Sequence, residues 1–310
     1  MSYGTTPRPI YQHPLAYLLG LHGVALMRAF AGEHDREFVH DRIAEMRRLL
    51  DAPDHLGDGH EVPPLPVTRG YAHWAPRYDG PNGFWGFEEP LVRPLMAKVP
   101  PGVAVDAACG TGRHTEWLVE RGHEVHAFDL SPDMLAIARQ KVPGARFEQA
   151  DFRRLPMLDA SADLVVNTLA LCHVEDLGPV FAEAARILRP GGHLVVSDTR
   201  SLYVGSPLYP LIEGADGEIG YIPGWSHETS DYLRAALDHG LSPTYCHEPR
   251  SRSGGGVEPA EPAEPTEPRG PADASDRPPD VWELMTWAAA SANAAYAGRP
   301  VLVIWDFERQ

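Results

Sequence analysis

Val103-Ala-Val-Asp-Ala-Ala-Cys-Gly-Thr-Gly112 is a short β-branched and apolar run that meets an acidic residue, enters a glycine-containing turn and leads into a helical pattern from Thr115. Gly110 and Gly112 let a ligand approach the backbone where a side chain would obstruct it. Nineteen residues after Gly110, Asp129 closes the next β-run, Glu124 to Asp129, where its carboxylate is placed to accept hydrogen bonds from both hydroxyls of a ribose. A dinucleotide site is one reading of this pattern. The run from Gly110 is Gly-Thr-Gly-Arg-His-Thr, however, so Thr115 stands where the third glycine of a dinucleotide fingerprint belongs. Asp106 at the turn would also face a pyrophosphate unfavourably, whereas it suits a ligand that brings an ammonium. A glycine turn that holds no ligand is the third alternative.

From Pro101 onward, β-runs alternate with helical stretches. Val103 to Asp106, Glu124 to Asp129, Arg146 to Gln149, Leu164 to Asn167 and His193 to Asp198 read as strands, and Thr115 to Arg121, Pro132 to Lys141 and Pro179 to Leu188 as helices between them. Such alternation implies right-handed crossovers and a doubly wound parallel sheet, with ligands at the carboxyl ends of the strands. Thr229 to His239 then reads as a helix and Ser242 to Glu248 as a strand. Gly254 to Asp280 repeats Glu-Pro steps with hardly an apolar side chain and is expected to be a flexible insertion, because it cannot bury enough surface to offset its ordering entropy. An Ala-rich helix, Val281 to Ala297, and a last strand, Val301 to Phe307, complete the domain, which is expected to span 69–310.

Residues 1–68 read as a helical extension. Pro14 suits a first helical turn, Gly32 a stop, and Phe38, Val39, Ile43, Met46, Leu49 and Leu50 recur at helical spacing among charges. This second helix needs a partner surface, either the sheet domain or a second copy of the chain. A loop rich in Pro, Gly, His and Asp, Asp51 to Thr68, separates it from an aromatic segment, Tyr71 to Phe87.

With 43 acidic against 27 basic residues, the formal charge of -16 would repel a phosphate backbone, which argues against nucleic acid as a partner. Cys109, Cys172 and Cys246 show neither metal-ligand spacing nor a disulfide framework, so free thiols in a reducing cytoplasm and no metal site are expected. No signal-peptide succession marks the N-terminus. The longest apolar stretch, Pro14 to Met27, falls short of the roughly 20 residues that span a bilayer, so no membrane contact is expected.

On these residues the chain resembles the class I S-adenosylmethionine-dependent methyltransferases, and more narrowly the small-molecule branch that includes the ubiquinone and menaquinone C-methyltransferases. The resemblance covers about Tyr71 to Glu248 with the last strand. Asp106 to Gly112 is similar to the family's acidic, glycine-rich first motif, with Ala108 in place of the usual first glycine. The resemblance implies a Rossmann-like seven-stranded sheet of order 3-2-1-4-5-7-6, with Arg299 to Phe307 as an antiparallel strand inserted beside the fifth. It also implies S-adenosylmethionine as the cofactor, its ammonium offered to Asp106.

Further motifs follow in the family's order. Phe128-Asp-Leu-Ser-Pro-Asp-Met-Leu135 resembles the ribose-binding strand end and the helix after it, with Ser131 as N-cap and Met134 against the adenine. Ala150-Asp-Phe152 resembles the segment in which Asp151 accepts the adenine amino group and Phe152 packs beside the ring, and Ile187 to His193 the turn into the fifth strand. The implied cofactor contacts extend to Thr111, Leu130, Asn167 and Thr168.

Tyr71-Ala-His-Trp-Ala-Pro-Arg-Tyr-Asp79 resembles the family's aromatic lid, with Tyr78 at the methionine end and Tyr71, Trp74, Phe84 and Trp85 shaping an acceptor pocket. The alternative is that these rings only pack the lid. His173, after the fourth strand, and His227, in the cover segment after the fifth, compete as general base. For His173 the alternative is a packing or cofactor-shelf role, and for His227 a solvated loop. Asp198 and Arg200 either bind a polar acceptor group or pair with each other. The function implied is methyl transfer to oxygen or nitrogen of a small-molecule metabolite, of the kind made in secondary metabolism. A quinone-type C-methyltransferase and a cofactor-binding regulatory subunit without catalysis are the alternatives. A nicotinamide oxidoreductase is disfavoured by Thr115. A homodimer through the N-terminal helices is the partner arrangement left open.

Overall fold

The computed structural model describes residues 3–4, 8–51, 56–80, 83–200, 211–214, 217–251 and 279–310, the side chains of 3, 4 and 83–85 excepted. Seven strands form one sheet: β1 (Val103–Ala107), β2 (Glu124–Asp129), β3 (Arg146–Gln149), β4 (Ala162–Thr168), β5 (Leu188–Thr199), β6 (Leu241–His247) and β7 (Leu302–Arg309). Their order is β3-β2-β1-β4-β5-β7-β6, as expected. The pairs from β3 to β5 are parallel, and β7 runs antiparallel to both β5 and β6.

Neighbouring residues on these strands point to opposite faces, and the sequence is apolar at both. Val105, Val165 and Leu194 join one core with Phe181 and Tyr232. Ala104, Leu164 and Val195 join a second with Val92, Met96 and Leu118. Both faces are therefore roofed by helices: α4 (Gly83–Met96) and α5 (Arg113–Glu120) supply the second core, α7 (Gly178–Ile187) and α8 (Thr229–Leu237) the first. Helix α6 (Pro132–Lys141) starts where Ser131 Oγ accepts the Met134 amide at 3.3 Å and Pro132 fills the first turn.

Two elements differ from the sequence expectation. Strand β5 begins at Leu188 rather than His193, because Leu188 already pairs with Ala162 across an irregularity in the ladder. The Ala-rich segment is two helices, α9 (Val281–Trp287) and α10 (Ala289–Tyr296), broken at Ala288 with φ -116° and ψ 41°. Asp280 caps α9 through the amides of Trp282 and Glu283, while the Glu283 carboxylate takes the Asp280 amide. Of the expected flexible insertion, residues 254–278 lie outside the described residues.

The N-terminal helices α1 (Pro14–Phe30) and α2 (Arg36–Asp51) are separated by Gly32 at φ 95°. Leu18 and Leu21 of α1 share a core with Leu284, Met285, Ala292, Ala295 and Tyr296 of α9 and α10, and buried His22 is hydrogen-bonded to buried Ser291 at 2.6 Å. The helical extension thus forms one layer with the residues between β6 and β7, a pairing that no local periodicity could show. Helix α2 buries none of its residues. The loop before the aromatic segment contains a strand, His60–Val62, paired antiparallel with Ile10–Gln12. Among the described residues no helix is long and apolar enough to cross a membrane.

Candidate functional site

The chain leaves β1 through a left-handed turn. Ala108, Gly110 and Gly112 have φ of 85°, 54° and 86°, and the amides of Ala108 and Cys109 both donate to the Phe128 carbonyl at 2.8 Å. Glycine adopts this conformation without cost, whereas alanine at the first position bears a steric penalty. Leu169, at the end of β4, is a second non-glycine residue at positive φ, 55°. Backbone strain therefore flanks the carboxyl ends of β1 and β4, where open α/β sheets bind ligands.

Asp129 closes β2 facing this turn. One carboxylate oxygen accepts the Gly110 amide and the other the Ser131 amide, each at 2.8 Å. Each oxygen keeps a second lone pair for an incoming donor. Burial pushes its pKa up against those two amides. Asp106 is fully buried, accepts the Thr115 hydroxyl at 2.6 Å and is likewise raised by burial. Beside it, Asn167 on β4 donates to the Ala107 carbonyl at 2.7 Å while its Oδ1 is buried without a partner. Thr168 ends β4, Leu130 leaves its side chain 37% exposed after β2, and Met134 is buried at the start of α6. Asp151 is engaged by its neighbour Arg153 (Nε 2.9 Å, Nη2 2.5 Å), whose hydrogen bonds hold its pKa below the usual range. Phe152 packs against the core around Leu155.

Over the turn lies α3 (Val67–Trp74) and a short turn of helix, Ala75–Arg77. Tyr78 roofs Gly110: a β-carbon there would lie 3.7 Å from its ring. Thr111 donates to Asp79 at 2.6 Å, which ties the turn to the lid. Tyr71, Trp74 and Tyr78 form one ring cluster with centroids 5.1 to 6.1 Å apart, and Tyr71 shares a 2.7 Å hydrogen bond with His173 Nε2. Burial lowers the pKa of His173 to about 4 and raises those of Tyr71 and Tyr78. The side chains of Phe84 and Trp85 lie outside the described residues.

Two expected site residues are placed differently. His227 is buried rather than solvated in a cover loop; its Nε2 donates to the carbonyls of Val174 (2.9 Å) and Leu171 (3.1 Å) and so carries its proton there. It pins the turn, Leu171–His173, that presents His173. Arg200 pairs neither with Asp198 nor with open space: its guanidinium holds the His227 carbonyl, the Thr229 hydroxyl and Glu248 at 2.6 to 3.0 Å. Asp198 instead accepts the Tyr232 hydroxyl and the Cys172 amide.

One site residue escaped sequence reasoning. Glu88 on α4 is fully buried and joins three elements: its carboxylate takes Arg113 (2.7 Å) and His114 (3.2 Å) at the start of α5, and the Ser197 hydroxyl (2.7 Å) of β5. Burial would raise its pKa, but His114 and Arg113 outweigh that and hold it at about 2. The available signal was its position four residues before Val92 on the buried stripe of α4. Among the described residues, no group of three or more His, Cys, Asp and Glu is arranged to hold a metal ion.

A family described as a methyltransferase domain matches residues 105–196. A malonyl-[acyl-carrier protein] O-methyltransferase of Enterobacter lignolyticus is 34% identical over 179 residues, 57% of this chain and 67% of the relative. The namesake from Serratia marcescens is 38% identical over 93 residues, 30% of this chain, and the match spans about a third (36%) of its length. An S-adenosylmethionine-dependent methyltransferase structure from Mesorhizobium loti superposes with a TM-score of 0.50 at 24% identity, over 74% of this chain and 99% of that one. That likeness speaks for the fold.

The strained first position of the turn gives a direct test: Ala108→Gly should raise stability by about 1 kcal/mol, the relief of left-handed alanine less the added entropy of the unfolded chain. Urea unfolding measures it, and a destabilised variant would contradict the left-handed assignment. For Glu88, a folded pKa of about 2 lies below the ordinary 4.5, so the ionised form contributes stability above pH 4.5 that is lost as the pH falls toward 2. That contribution is about 3 kcal/mol, and unfolding curves from pH 5.5 to 2.5 should fall less steeply for Glu88→Gln than for the parent. Parallel pH slopes would count against an ionised Glu88.

Proposed function

Because this chain belongs to the S-adenosylmethionine-dependent methyltransferases, we propose that it transfers the methyl group of S-adenosylmethionine to an oxygen or nitrogen of a small-molecule acceptor. The observation that carries this reading is Asp129, fixed by two backbone amides with acceptor capacity left on both oxygens, facing a turn whose glycines admit close approach. The donor and acceptor set suits the cofactor. Asp129 would take the ribose hydroxyls, and Asp106 with the unpartnered Oδ1 of Asn167 would take the methionine ammonium. Leu130, Met134, Asp151 and Phe152 would border the adenine, with Asp151 shared between it and Arg153. Gly110, Thr111 and Gly112 would supply backbone to the methionine end, and Tyr78 would cover it.

The bound cofactor supplies a methyl group on a sulfonium, for which in-line placement of the nucleophile matters most; orientation is worth on the order of 7 to 11 kcal/mol, against roughly 10²- to 10⁴-fold from a general base. Tyr71, Trp74 and His173 would form the acceptor wall. His173, held at about 4, is a weak proton acceptor, so this wall favours a nucleophile that carries no proton at neutral pH, such as a carboxylate oxygen. The O-methyltransferases among the relatives agree with an oxygen nucleophile. His227 and Arg200 would act by holding the turn that carries His173.

Three free cysteines suit a reducing cytoplasm, and the net charge of -16 would keep the protein off nucleic acid. Two copies would pair through the outer face of α1, where Met27 is 65% and Phe30 96% exposed.

Asp129→Ala should remove S-adenosylhomocysteine binding from the calorimetric range, since two hydrogen bonds to a charged acceptor are lost at about 1.5 to 3 kcal/mol each. Affinity equal to the parent's would remove the cofactor assignment. In sedimentation, Phe30→Asp should shift the protein toward monomer; a parent that is already monomeric would rule out the pairing.

A further inference from the structure

The lid helix has two faces, one toward the cleft and one toward a neighbouring hairpin. Tyr71, Trp74 and Tyr78 look onto the cleft. Arg69, His73 and Arg77 recur every four residues on another face, turned toward the hairpin formed by Leu211–Glu213 and Ile219–Tyr221. There Glu218 Oε2 receives Arg69 (Nη2 2.7 Å, Nε 2.8 Å) and lies 3.0 Å from His73 Nε2, while Arg77 donates to the Glu213 carbonyl at 2.9 Å.

The contact beneath these charges is close. A β-carbon on Gly70 would meet Ile222 at 2.4 Å, and one on Gly220 would meet Leu65 at 2.4 Å. Ahead of the lid, the Leu65 amide donates to the Tyr221 carbonyl at 2.7 Å and the Tyr221 amide to the Pro63 carbonyl at 3.0 Å. The hairpin is therefore the base on which the lid helix is mounted. Backbone pairing before α3 and the Gly70 contact anchor its first turn, and the pairs of Arg69 and His73 with Glu218 tie that turn and the next to the hairpin. The ion pairs with Glu218 sit at Arg69 and His73, either side of Gly70, which is buried against Ile222, and of Tyr71, which reaches His173.

We propose that Glu218 is a positioning residue that latches the lid helix through Arg69 and His73, and so sets how tightly Tyr71 and Tyr78 close over the cofactor and acceptor. The proposal rests on the methyltransferase reading for its consequence, though not for its geometry. Glu218 touches no reacting atom; it acts through the pose of α3. It is two-thirds solvent-shielded and lies outside both sheet cores, so its replacement leaves the packing of the domain intact.

The test uses the full chain, amide hydrogen exchange without ligand, and the dissociation rate of S-adenosylhomocysteine. Glu218→Arg and Arg69→Glu should each speed exchange of the α3 amides and cofactor dissociation by about three- to tenfold, and the double exchange R69E/E218R, which restores the Arg69 arm but leaves His73 without its carboxylate, should bring both about twofold or more back toward the parent. The global urea midpoint is the control and should stay in place for all three variants. Lid amides that exchange at the parent rate in Glu218→Arg would overturn the latch, as would a double variant no better than either single one. A fall in the global midpoint shared by all three would make Glu218 a stability residue and overturn it equally. Should the parent bind no S-adenosylhomocysteine, the methyltransferase reading fails, and amide exchange in the ligand-free chain still decides the latch.

Discussion

The interaction on which the site depends is the hydrogen bond from the Gly110 amide to the Asp129 carboxylate, 2.8 Å long. It joins the turn after β1 to the end of β2 and thereby fixes the distance between the two walls of the cleft. The turn must be left-handed to present that amide, so glycine stands at two of its three positive-φ positions and the alanine at the third is held under strain. The same carboxylate orders Ser131, which caps α6. One acidic residue thus sets a strand end, a turn and a helix start, and any ligand that uses its remaining lone pairs is bound by groups already in place. Such preorganisation reduces the ordering cost of binding.

A second constraint acts from below. Glu88 and Asp106 are buried and Asp129 is half-buried, yet their charges are handled differently. Glu88 is paired with Arg113 and bonded to His114 and Ser197, and stays ionised. Asp106 and Asp129 have mainly hydroxyl and amide donors, and burial moves both toward the neutral form. A ligand that carries positive charge would reverse that shift, since an opposite charge nearby favours the ionised carboxylate. The cleft is electrostatically unsettled at Asp106 and Asp129 and settled at Glu88.

What the sequence made legible was whatever local chemistry decides. Strand β2 and helix α6 lie where they were read, because an alternating run ending in Asp and a Ser-Pro cap are local signals. Gly110 and Gly112 were legible for the same reason: a turn with positive φ is made without strain only by glycine. The burial of His227, the engagement of Arg200 by Glu248, and the joint core of α1 with α9 and α10 depend on partners far along the chain, which spacing does not reveal. Arg-Pro-Gly-Gly looked like a turn before β5, yet the strand ladder already holds Leu188. The local turn chemistry still holds in between, with Gly191 at φ 80° and the ladder resuming only at His193.

Histidines show how burial converts a residue type into a role. Of the two candidates for a base, His227 spends its Nε2 proton on backbone carbonyls, and His173 is kept neutral by burial with its Nε2 toward Tyr71. Neither is arranged as a strong proton acceptor at neutral pH. If the chemistry needed one, the cheapest change would be a carboxylate beside His173 to raise its basicity, as paired histidines commonly have. The nearest buried carboxylate on β5, Asp198, is instead occupied by the Tyr232 hydroxyl and the amides of Cys172 and Thr199. The fold thus directs its polar groups to fixing the turn that carries His173, and under the proposed methyl transfer placement rather than proton removal would carry the reaction, as suits a leaving group that is already activated.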